Sequence, residues 1–217
     1  MRLIIVYDNE ALSGFERGWG FACLLELRGE RILFDAGWDG PRLLRNLRRV
    51  GVKASDIASV VLSHAHWDHI GGLPSLQRKD LRVYAPKSFS KRLRGEFAQY
   101  YTLQEVSGPQ KIVRGVWTTG ELGKEIKEQS LVVKTKRGHL VIVGCSHPGV
   151  RRILTAAKKF GKVWGILGGL HGFDDYEVLR GLEMVAPSHC TVHKKEIASI
   201  FPEKFTLVRA GTEITIE

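Results

Sequence analysis

Residues 63–72 read Ser-His-Ala-His-Trp-Asp-His-Ile-Gly-Gly, which places three imidazoles and one carboxylate within six consecutive positions. The apolar run at 58–62 comes directly before them and predicts a buried strand that ends where the polar side chains begin. Nitrogen and oxygen ligands of this kind bind zinc, iron or manganese in proteins. The stretch therefore predicts a metal site at the edge of a sheet, and an enzyme.

The spacing of these side chains predicts two metal ions. His64 and His66 are two positions apart, so both can reach one ion from an extended or turning backbone. Asp68 and His69 are adjacent and must point in different directions, which favours a second ion for this pair. Two ions about 3.5–4 Å apart can share and deprotonate a water molecule, as hydrolytic two-metal sites do. The glycines at 71–72 allow the backbone to fold tightly beside such a site.

The motif at 64–69 resembles the His-x-His-x-Asp-His signature of the metallo-β-lactamase superfamily. The segment at 32–37 resembles the strand that carries an early aspartate in that superfamily. Three later segments, at 143–149, 167–171 and 187–191, resemble a branch that includes archaeal dihydropterin–ribofuranosylaminobenzene phosphate synthases and metal-dependent hydrolases. The resemblance implies a four-layer αββα sandwich with metal at one edge between the sheets.

Three further histidines, His147, His171 and His189, each follow an apolar run, as His64 does. Taken alone, a histidine at a strand end is as often a capping or core residue as a ligand. In a chain that already carries the motif at 64–69, we interpret all three as candidates for the metal site.

The resemblance implies different roles for these histidines. His189 matches the late ligand of the superfamily, which belongs to the second ion. His147 stands where many relatives carry a bridging aspartate, and we expect it to complete the first ion. Whether a carboxylate bridges the ions is left open, and Glu121 lies nearest to a further ligand position of the relatives. His171 is either a seventh ligand or a group that polarises the substrate, and we favour the second role.

The expected chemistry is hydrolysis assisted by metal ions. Asp68 is expected to hold the attacking water and take up its proton, while His171 helps to stabilise the developing negative charge. Asp35 is expected to accept a hydrogen bond from a metal-binding imidazole and fix its tautomer, the alternative being an aspartate that only forms a turn. His139, beside a predicted hairpin turn, is expected to be exposed, and His193 to begin a helix.

Composition limits the remaining options. The chain has 217 residues, of which 43% are hydrophobic, and no Pro/Ser/Gly-rich linker divides it, so we predict a single domain over 1–217. No apolar run approaches about 18 residues and the first residues do not resemble a signal peptide, which predicts a cytoplasmic protein without a membrane segment. Asn and Gln together number only seven, as is typical of thermophiles.

The net charge indicates the kind of molecule that the protein binds, and the cysteine content indicates the state of its thiols. The net charge of +10 favours a small anionic substrate, such as a phosphate compound. The basic residues are spread along the chain without interleaved aromatics, so nucleic-acid binding is not expected. Cys23, Cys145 and Cys190 are predicted to be buried free thiols. The oligomeric state is left open, a homo-oligomer included.

The sequence thus predicts a hydrolase with two divalent ions, zinc being favoured over iron or manganese. One alternative is a dihydropterin–aminobenzene type of synthase, although relatives tend to carry a histidine where this chain has Trp19. A second is a nucleic-acid-processing enzyme, but the chain shows no additional RNA-gripping arm. A third is a metal-free binding protein, against which the complete motif at 64–69 argues.

Apolar periodicity and turn residues predict alternating strands and helices, a mixed α/β pattern. The predicted helices are 41–50, 88–101, 148–160, 176–185 and 194–200. The predicted strands are 3–7, 21–27, 31–34, 60–62, 81–84, 112–113, 116–118, 131–135, 140–143, 163–167, 190–192, 206–208 and 213–216.

Overall fold

The computed structural model of the protein describes residues 1–217. The chain forms two compact units, residues 1–107 with 209–217 and residues 108–208. The strands are β1 (Arg2–Tyr7), β2 (Ala22–Leu27), β3 (Glu30–Phe34), β4 (Ser59–Val61), β5 (Arg82–Pro86), β6 (Thr102–Val106), β7 (Gln110–Val113), β8 (Val116–Thr118), β9 (Leu131–Thr135), β10 (Gly138–Val143), β11 (Val163–Gly169), β12 (Met184–Ser188) and β13 (Glu213–Thr215).

The helices are short. They are α1 (Gly40–Arg49), α2 (Trp67–Ile70), α3 (Lys91–Tyr100), α4 (Val150–Ala157) and α5 (Lys194–Ile200), with 3₁₀ turns at Ala54–Asp56, Leu73–Leu76, Lys158–Phe160 and Tyr176–Leu179. The longest, α1 and α3, have ten residues each. None of the helices has the length and apolar character that a membrane crossing requires.

Each unit contains one mixed sheet. The first unit has seven strands in the order β13-β1-β2-β3-β4-β5-β6, in which β3 to β6 run parallel. The second has six strands in the order β12-β11-β10-β9-β8-β7, in which β10, β11 and β12 run parallel. Parallel strands deliver their carboxyl ends to one edge of a sheet, which is where open α/β sheets bind ligands.

This topology places the polar segments of each unit together. In the first unit, Phe34 of β3 is in register with Val61 of β4, so residue 35 and residues 62–64 emerge side by side. In the second unit, the segments that follow β10, β11 and β12 emerge from one edge.

Helix α1 shows why the local sequence folds as predicted. The Asp39 carboxylate caps the helix by accepting a hydrogen bond from the backbone N–H of Arg42 at 2.8 Å, and Pro41 occupies the first turn. Leu43 and Leu47 are fully buried in the core of the first unit. The apolar face and the cap therefore fix the helix beside the β-sheet of its unit.

Four regions differ from the prediction. The helix predicted at 176–185 is a 3₁₀ turn at Tyr176–Leu179 followed by β12, because the apolar run at 184–187 pairs with β11 instead of continuing the helical pattern. The strands predicted at 190–192 and 206–208 are a turn and an irregular segment. Strand β6 was not predicted, since most of its side chains are exposed at the edge of the sheet.

Candidate metal centre

Left-handed backbone conformations concentrate at the ends of the parallel strands. Five residues other than glycine have positive φ, and four of them lie within three positions of the end of such a strand: Asp35 at 59°, Ser146 at 62°, His171 at 49° and His189 at 45°. Each such conformation costs about 1–3 kcal/mol and persists only when its surroundings fix it. Strain of this kind is common at functional sites, so these strand ends form the candidate site.

In the first unit, Asp35 is the centre of a buried hydrogen-bond network. Its Oδ1 accepts from the Ser63 backbone N–H at 2.6 Å, and its Oδ2 accepts from the Ser63 hydroxyl at 2.7 Å. The same Oδ2 lies 2.7 Å from Nδ1 of His69. The Ser63 hydroxyl also lies 2.8 Å from Nδ1 of His64. All four residues are fully buried.

These contacts determine the tautomers of two imidazoles. Because Asp35 is an acceptor, Ser63 donates its only hydroxyl proton to it and must accept from the Nδ1–H of His64. His69 likewise donates its Nδ1 proton to Asp35. In neutral His64 and His69, the lone pair is therefore left on Nε2, the atom that can bind a metal ion.

The remaining motif side chains lie close to these two. The Nε2 atom of His64 is 3.0 Å from Nδ1 of His66, and the rings of His64 and His69 have centroids 4.2 Å apart. The carboxylate of Asp68 is 3.9 Å from Nε2 of His69, and its side chain is only 14% exposed. The four residues belong to groups of side chains that could hold a metal ion.

The donor set of this unit fits a metal ion. Two nitrogen ligands at 2.0–2.1 Å from a tetrahedral zinc ion lie about 3.3 Å apart, close to the 3.0 Å between the His64 and His66 nitrogens. Imidazole and carboxylate ligands suit zinc, iron and manganese alike. His66 is exposed whereas His64 and His69 are buried, so the motif has one side open to solvent.

In the second unit, a buried glutamate holds the loop that carries His147. The Oε1 atom of Glu128 accepts from the backbone N–H groups of Gly144, Cys145 and Ser146, each at 3.0 Å. Its Oε2 accepts from the His147 N–H, also at 3.0 Å. Four successive backbone donors thus converge on one carboxylate and fix the backbone of this loop.

The other two loops of this unit are joined by short hydrogen bonds. The Thr191 hydroxyl donates to the Ser188 carbonyl at 2.8 Å and accepts from the Leu170 N–H at 2.9 Å. The Val192 N–H donates to the His171 carbonyl at 2.9 Å. The rings of His147 and His171 have centroids 5.0 Å apart. The second unit therefore gathers His147, His171 and His189 at the edge where its parallel strands end.

Two cysteines lie in the same place. The ligand atoms of Cys145, His189 and Cys190 all lie within 4.8 Å of one another. The three cysteines are free, as predicted; Cys23 and Cys145 are buried and Cys190 is half-buried. Burial raises the pKa of the Cys23 thiol, which keeps it in its unreactive protonated form.

Several contributors to the site were not found from the sequence. The hydrogen bonds of Ser63 and Glu128 depend on which strands lie side by side. The same is true of the proximity of the Cys145 and Cys190 thiols. The sequence gives one local indication of these contacts, which is that Ser63 directly follows the strand predicted at 60–62. The sequence around Glu128 does not indicate its role, since its partners are backbone groups 16 to 19 positions away.

Three other polar residues have structural surroundings. Glu121 lies 3.8 Å from the Lys127 ammonium group in an ion pair. His139 is buried against Trp117, so its predicted exposure is wrong; the β9–β10 hairpin carries it beneath an aromatic ring. His193 precedes α5 as predicted and lies 3.5 Å from the Glu196 carboxylate.

A cavity of about 310 Å³ lies against His147 in the second unit. Its walls are formed by Gly123, Lys124, Glu125, Ile126, His147, Pro148 and Arg152. The charged groups of Lys124 and Arg152 make no hydrogen bond or ion pair with the protein. The two free cations outnumber the single carboxylate of Glu125, so the cavity offers positive charge to a ligand.

Comparison with known proteins agrees with this geometry. The profile of the Metallo-beta-lactamase superfamily matches residues 20–157, which include the complete motif at 64–69. The chain is also 30% identical to MJ0448 of Methanocaldococcus jannaschii, over 88% of this chain and 90% of that protein. The chain belongs to the metallo-β-lactamase superfamily.

Two further members show how broad the similarity is. The chain is 25% identical to the 7,8-dihydropterin-6-methyl-4-(β-D-ribofuranosyl)-aminobenzene-5′-phosphate synthase of M. jannaschii, over 90% of this chain and 88% of that enzyme. The crystal structure of Tm1679, a metal-dependent hydrolase of the β-lactamase superfamily, matches with a TM-score of 0.82 and 28% identity, covering 99% of this chain and 98% of that chain.

The predicted family and fold class are confirmed. Two mixed sheets with helices match the αββα sandwich of this superfamily. Members of the superfamily are enzymes, and the fold implies the use of divalent metal ions, for which this chain has candidate His, Asp and Cys groups.

Proposed function

We propose that this protein is a hydrolase that uses two divalent metal ions, preferentially zinc, to attack a small phosphate-containing substrate with water. The proposed ligands are His64, His66, Asp68, His69, His147 and His189. The observation that carries the proposal is the Asp35 network, because its hydrogen bonds occupy Nδ1 of two buried imidazoles and leave Nε2 as the atom that could bind a metal ion. Membership in a superfamily with metal-dependent hydrolases supports it.

The metal ions would supply Lewis acidity, which at such sites lowers the pKa of a bound water molecule to about 7. The residues of the chain orient the ligands and the attacking water and take up its proton. Asp35 accepts the Nδ1 proton of His69 and Ser63 accepts that of His64, so both imidazoles stay oriented with Nε2 left to bind a metal ion. Asp68 orients the attacking water and takes up its proton. Its low exposure limits competing solvent and strengthens this hydrogen bond.

The second unit contributes orientation and charge. The Glu128 carboxylate fixes the backbone at His147, so that this imidazole needs little reorganisation to bind. His171, at 5.0 Å from the His147 ring, is proposed to donate a hydrogen bond to the substrate oxygen on which negative charge develops. We leave His171 outside the ligand set for this reason.

The cavity against His147 supports an anionic substrate. Lys124 and Arg152 are unpaired there, and an arginine fork and an ammonium group both bind phosphate well. The net charge of +10 adds a long-range attraction for anions. We therefore propose that these two side chains bind the phosphate of the substrate.

The direct test is the variant His66→Ala. We expect the native protein to hydrolyse phosphodiesters or lactones in a panel of chromogenic substrates, and the variant to lose both turnover and metal content. His193→Ala is the matched control, because it removes another solvent-accessible imidazole that lies outside the proposed ligand set. Elemental analysis that finds the same metal content in His66→Ala as in the native protein contradicts the proposal.

A second candidate function follows from one comparison. The similarity to the pterin-linked synthase extends over 90% of this chain, so a transferase reaction is the alternative. The same residues would then assist the departure of a phosphate group instead of activating water. Formation of the synthase's named product by the purified protein favours this alternative, and its absence together with phosphodiester turnover favours the hydrolase.

A further inference from the structure

Three tryptophans of the first unit are exposed to solvent. Trp19 is 59% exposed, Trp38 is 51% exposed and Trp67 is 53% exposed, whereas Trp164 of the second unit is 2% exposed. Tryptophan is highly buried on average, so three indoles that are more than half exposed in one unit need an explanation. Exposed apolar groups that cluster mark a binding surface more often than scattered ones do.

The loops that carry these tryptophans are joined to one another. The Phe21 N–H donates to the Asp68 carbonyl at 3.2 Å, and the Gly37 N–H donates to the Phe21 carbonyl at 3.0 Å. The Gly72 N–H completes the connection by donating to the Gly37 carbonyl at 3.0 Å. The segments at 19–21, 37–38 and 67–72 therefore form one hydrogen-bonded assembly, with a tryptophan on each.

Two glycines show how closely the loops approach. A methyl group on Gly71 would lie 2.4 Å from the Trp38 carbonyl oxygen and 2.7 Å from Nε1 of Trp67. A methyl group on Gly20 would lie 2.3 Å from the Asp68 carbonyl oxygen and 3.0 Å from the Trp38 backbone nitrogen. Larger residues cannot stand at either position without moving these loops, so the glycines keep the tryptophan-bearing segments in contact.

The assembly adjoins the metal-binding motif, because its segment at 67–72 overlaps the motif at 64–69. Trp67 stands between His66, which is exposed, and Asp68, which is partly exposed. Trp38 follows Asp35 by three positions on the loop after β3. A molecule that reaches the motif from this side meets indole rings next to the ligand side chains.

We propose that Trp19, Trp38 and Trp67 form an aromatic rim that binds a flat heteroaromatic ring of the substrate by stacking. The inference rests on the proposed function, since it places the ring beside the group that is hydrolysed. Indole faces bind planar rings without requiring a particular hydrogen-bond pattern, and stacking of one nucleobase on an aromatic side chain changes affinity by about 5- to 140-fold. The substrate class is thus a phosphate ester that carries a nucleobase-like ring.

The test compares two phosphodiesters with the same leaving group. The metal-loaded protein is assayed with thymidine 5′-(p-nitrophenyl phosphate), which carries a nucleobase, and with methyl p-nitrophenyl phosphate, which carries none, so that the p-nitrophenyl ring common to both cancels in the comparison. We expect a lower KM for the thymidine compound, and Trp38→Ala and Trp19→Ala to raise that KM about tenfold while kcat and the constants for the methyl compound stay within twofold. Trp38→Phe, which keeps an aromatic face, should retain most of the preference.

Tyr100→Ala is the matched control, because Tyr100 is an exposed aromatic residue on α3 and is expected to leave both substrates unaffected. Equal constants for the two substrates in the native protein, or a KM that none of the tryptophan variants changes, overturn the inference. The metal content of each variant is measured alongside, so that a loss of metal is not taken for a loss of stacking.

A binding experiment separates this inference from the proposed function. Quenching of tryptophan fluorescence is titrated with adenosine 5′-monophosphate and with ribose 5-phosphate, which lacks the nucleobase. We expect quenching by the first alone, and its reduction in Trp38→Ala, even if neither phosphodiester is hydrolysed. Equal responses to both compounds, or no response to adenosine 5′-monophosphate at millimolar concentration, overturn the aromatic rim, whereas lack of turnover with specific quenching contradicts only the hydrolase.

Discussion

Asp35 is the residue on which the imidazole orientations of the first unit depend. It follows β3 in a left-handed conformation with φ of 59°, and it bonds directly to His69 and through Ser63 to His64. One carboxylate therefore sets two tautomers. A buried carboxylate of this kind is costly unless its oxygens are hydrogen-bonded, and here both oxygens accept hydrogen bonds.

Replacement of Asp35 by Asn is expected to weaken metal binding by about 10- to 100-fold. The amide keeps one acceptor oxygen but presents N–H groups to a partner that also donates, so one of the two imidazoles loses its acceptor. Chelator competition measures the affinity. Asp39→Asn is the control, because it preserves a side chain that can cap α1 and lies outside the network; equal affinities in both variants contradict the role of Asp35.

Tyr101 makes the stability of the first unit depend on alkaline pH. Its buried hydroxyl donates to the Leu73 carbonyl at 3.1 Å, and desolvation raises the pKa of Tyr101 from 10.0 to about 12. A pKa that is higher in the folded state adds stability that is fully present below pH 10 and is lost as the pH rises through about 12.

The free energy of unfolding of the native protein should therefore fall between pH 10 and 12, and Tyr101→Phe should fall less steeply over that interval. Urea titrations at pH 9 and pH 11 measure the difference. Tyr100→Phe should change the pH dependence less than Tyr101→Phe does, because the charge of Tyr100 is the smaller of the two causes that raise the pKa of Tyr101. A Tyr101→Phe variant with the same loss of stability as the native protein would show that this hydroxyl does not govern the transition.

At the scale of elements, Glu128 connects the segment before β9 with the loop after β10. Its carboxylate receives four backbone N–H groups at 3.0 Å each, all of them in the segment that presents Cys145 and His147. Each buried donor left without a partner costs about 1–3 kcal/mol. The loop therefore depends on this one side chain.

Glu128→Ala is expected to lower the free energy of unfolding by about 3 kcal/mol or more, because several buried donors lose their acceptor at once. It should also reduce metal content, since the loop of His147 is no longer fixed. Urea unfolding and elemental analysis measure the two effects. Glu177→Ala, which removes an exposed carboxylate of the second unit that pairs with Arg180 at 2.7 Å, is the comparison, and an equally small effect of both variants would contradict the role of Glu128 in holding the loop.

Most elements were predictable where a local pattern decides them. Strands β8 and β9 and helix α5 have the predicted bounds, because alternating or helical apolar patterns coincide with burial there. Strand β12 was mistaken for helix because a short apolar run fits either structure until its pairing with β11 is known. The exposed edge strand β6 lacks an apolar pattern altogether.

The candidate site divides in the same way. The motif at 64–69 was found because its ligands are neighbours in sequence, and the histidines at 147, 171 and 189 because each follows an apolar strand. The hydrogen bonds of Ser63 to Asp35 and His64, and those of Glu128 to the loop of His147, could not be predicted, since both sets depend on which strands are adjacent. The exposure of the tryptophans at 19, 38 and 67 likewise emerges only from the packing of separate loops.

For the whole molecule, the excess of positive charge has a measurable consequence. With a net charge of +10, the protein should attract phosphate esters more strongly at low salt, because the Debye length falls from about 30 Å at 0.01 M to about 10 Å at 0.1 M. We expect kcat/KM for an anionic phosphodiester to decrease over this range, while that for a neutral lactone stays constant.

The cavity against His147 should supply the short-range part of this attraction for phosphate esters. The double variant Lys124→Ala/Arg152→Ala is expected to raise KM for the phosphodiester about tenfold or more, since it removes two charged phosphate contacts. Arg151→Ala is the control, because Arg151 is already paired with Asp175 at 2.6 Å. If the double variant and the control have the same KM, the substrate phosphate is not bound by these two side chains.

We propose that this chain binds two metal ions through the histidines and the aspartate that follow its strands. Crystals of the purified protein, measured at the zinc, iron and manganese absorption edges, would reveal such ions. We expect two anomalous peaks, one beside His64 and His66 and one beside Asp68 and His69. Metal-supplemented crystals without a peak at these side chains would contradict it.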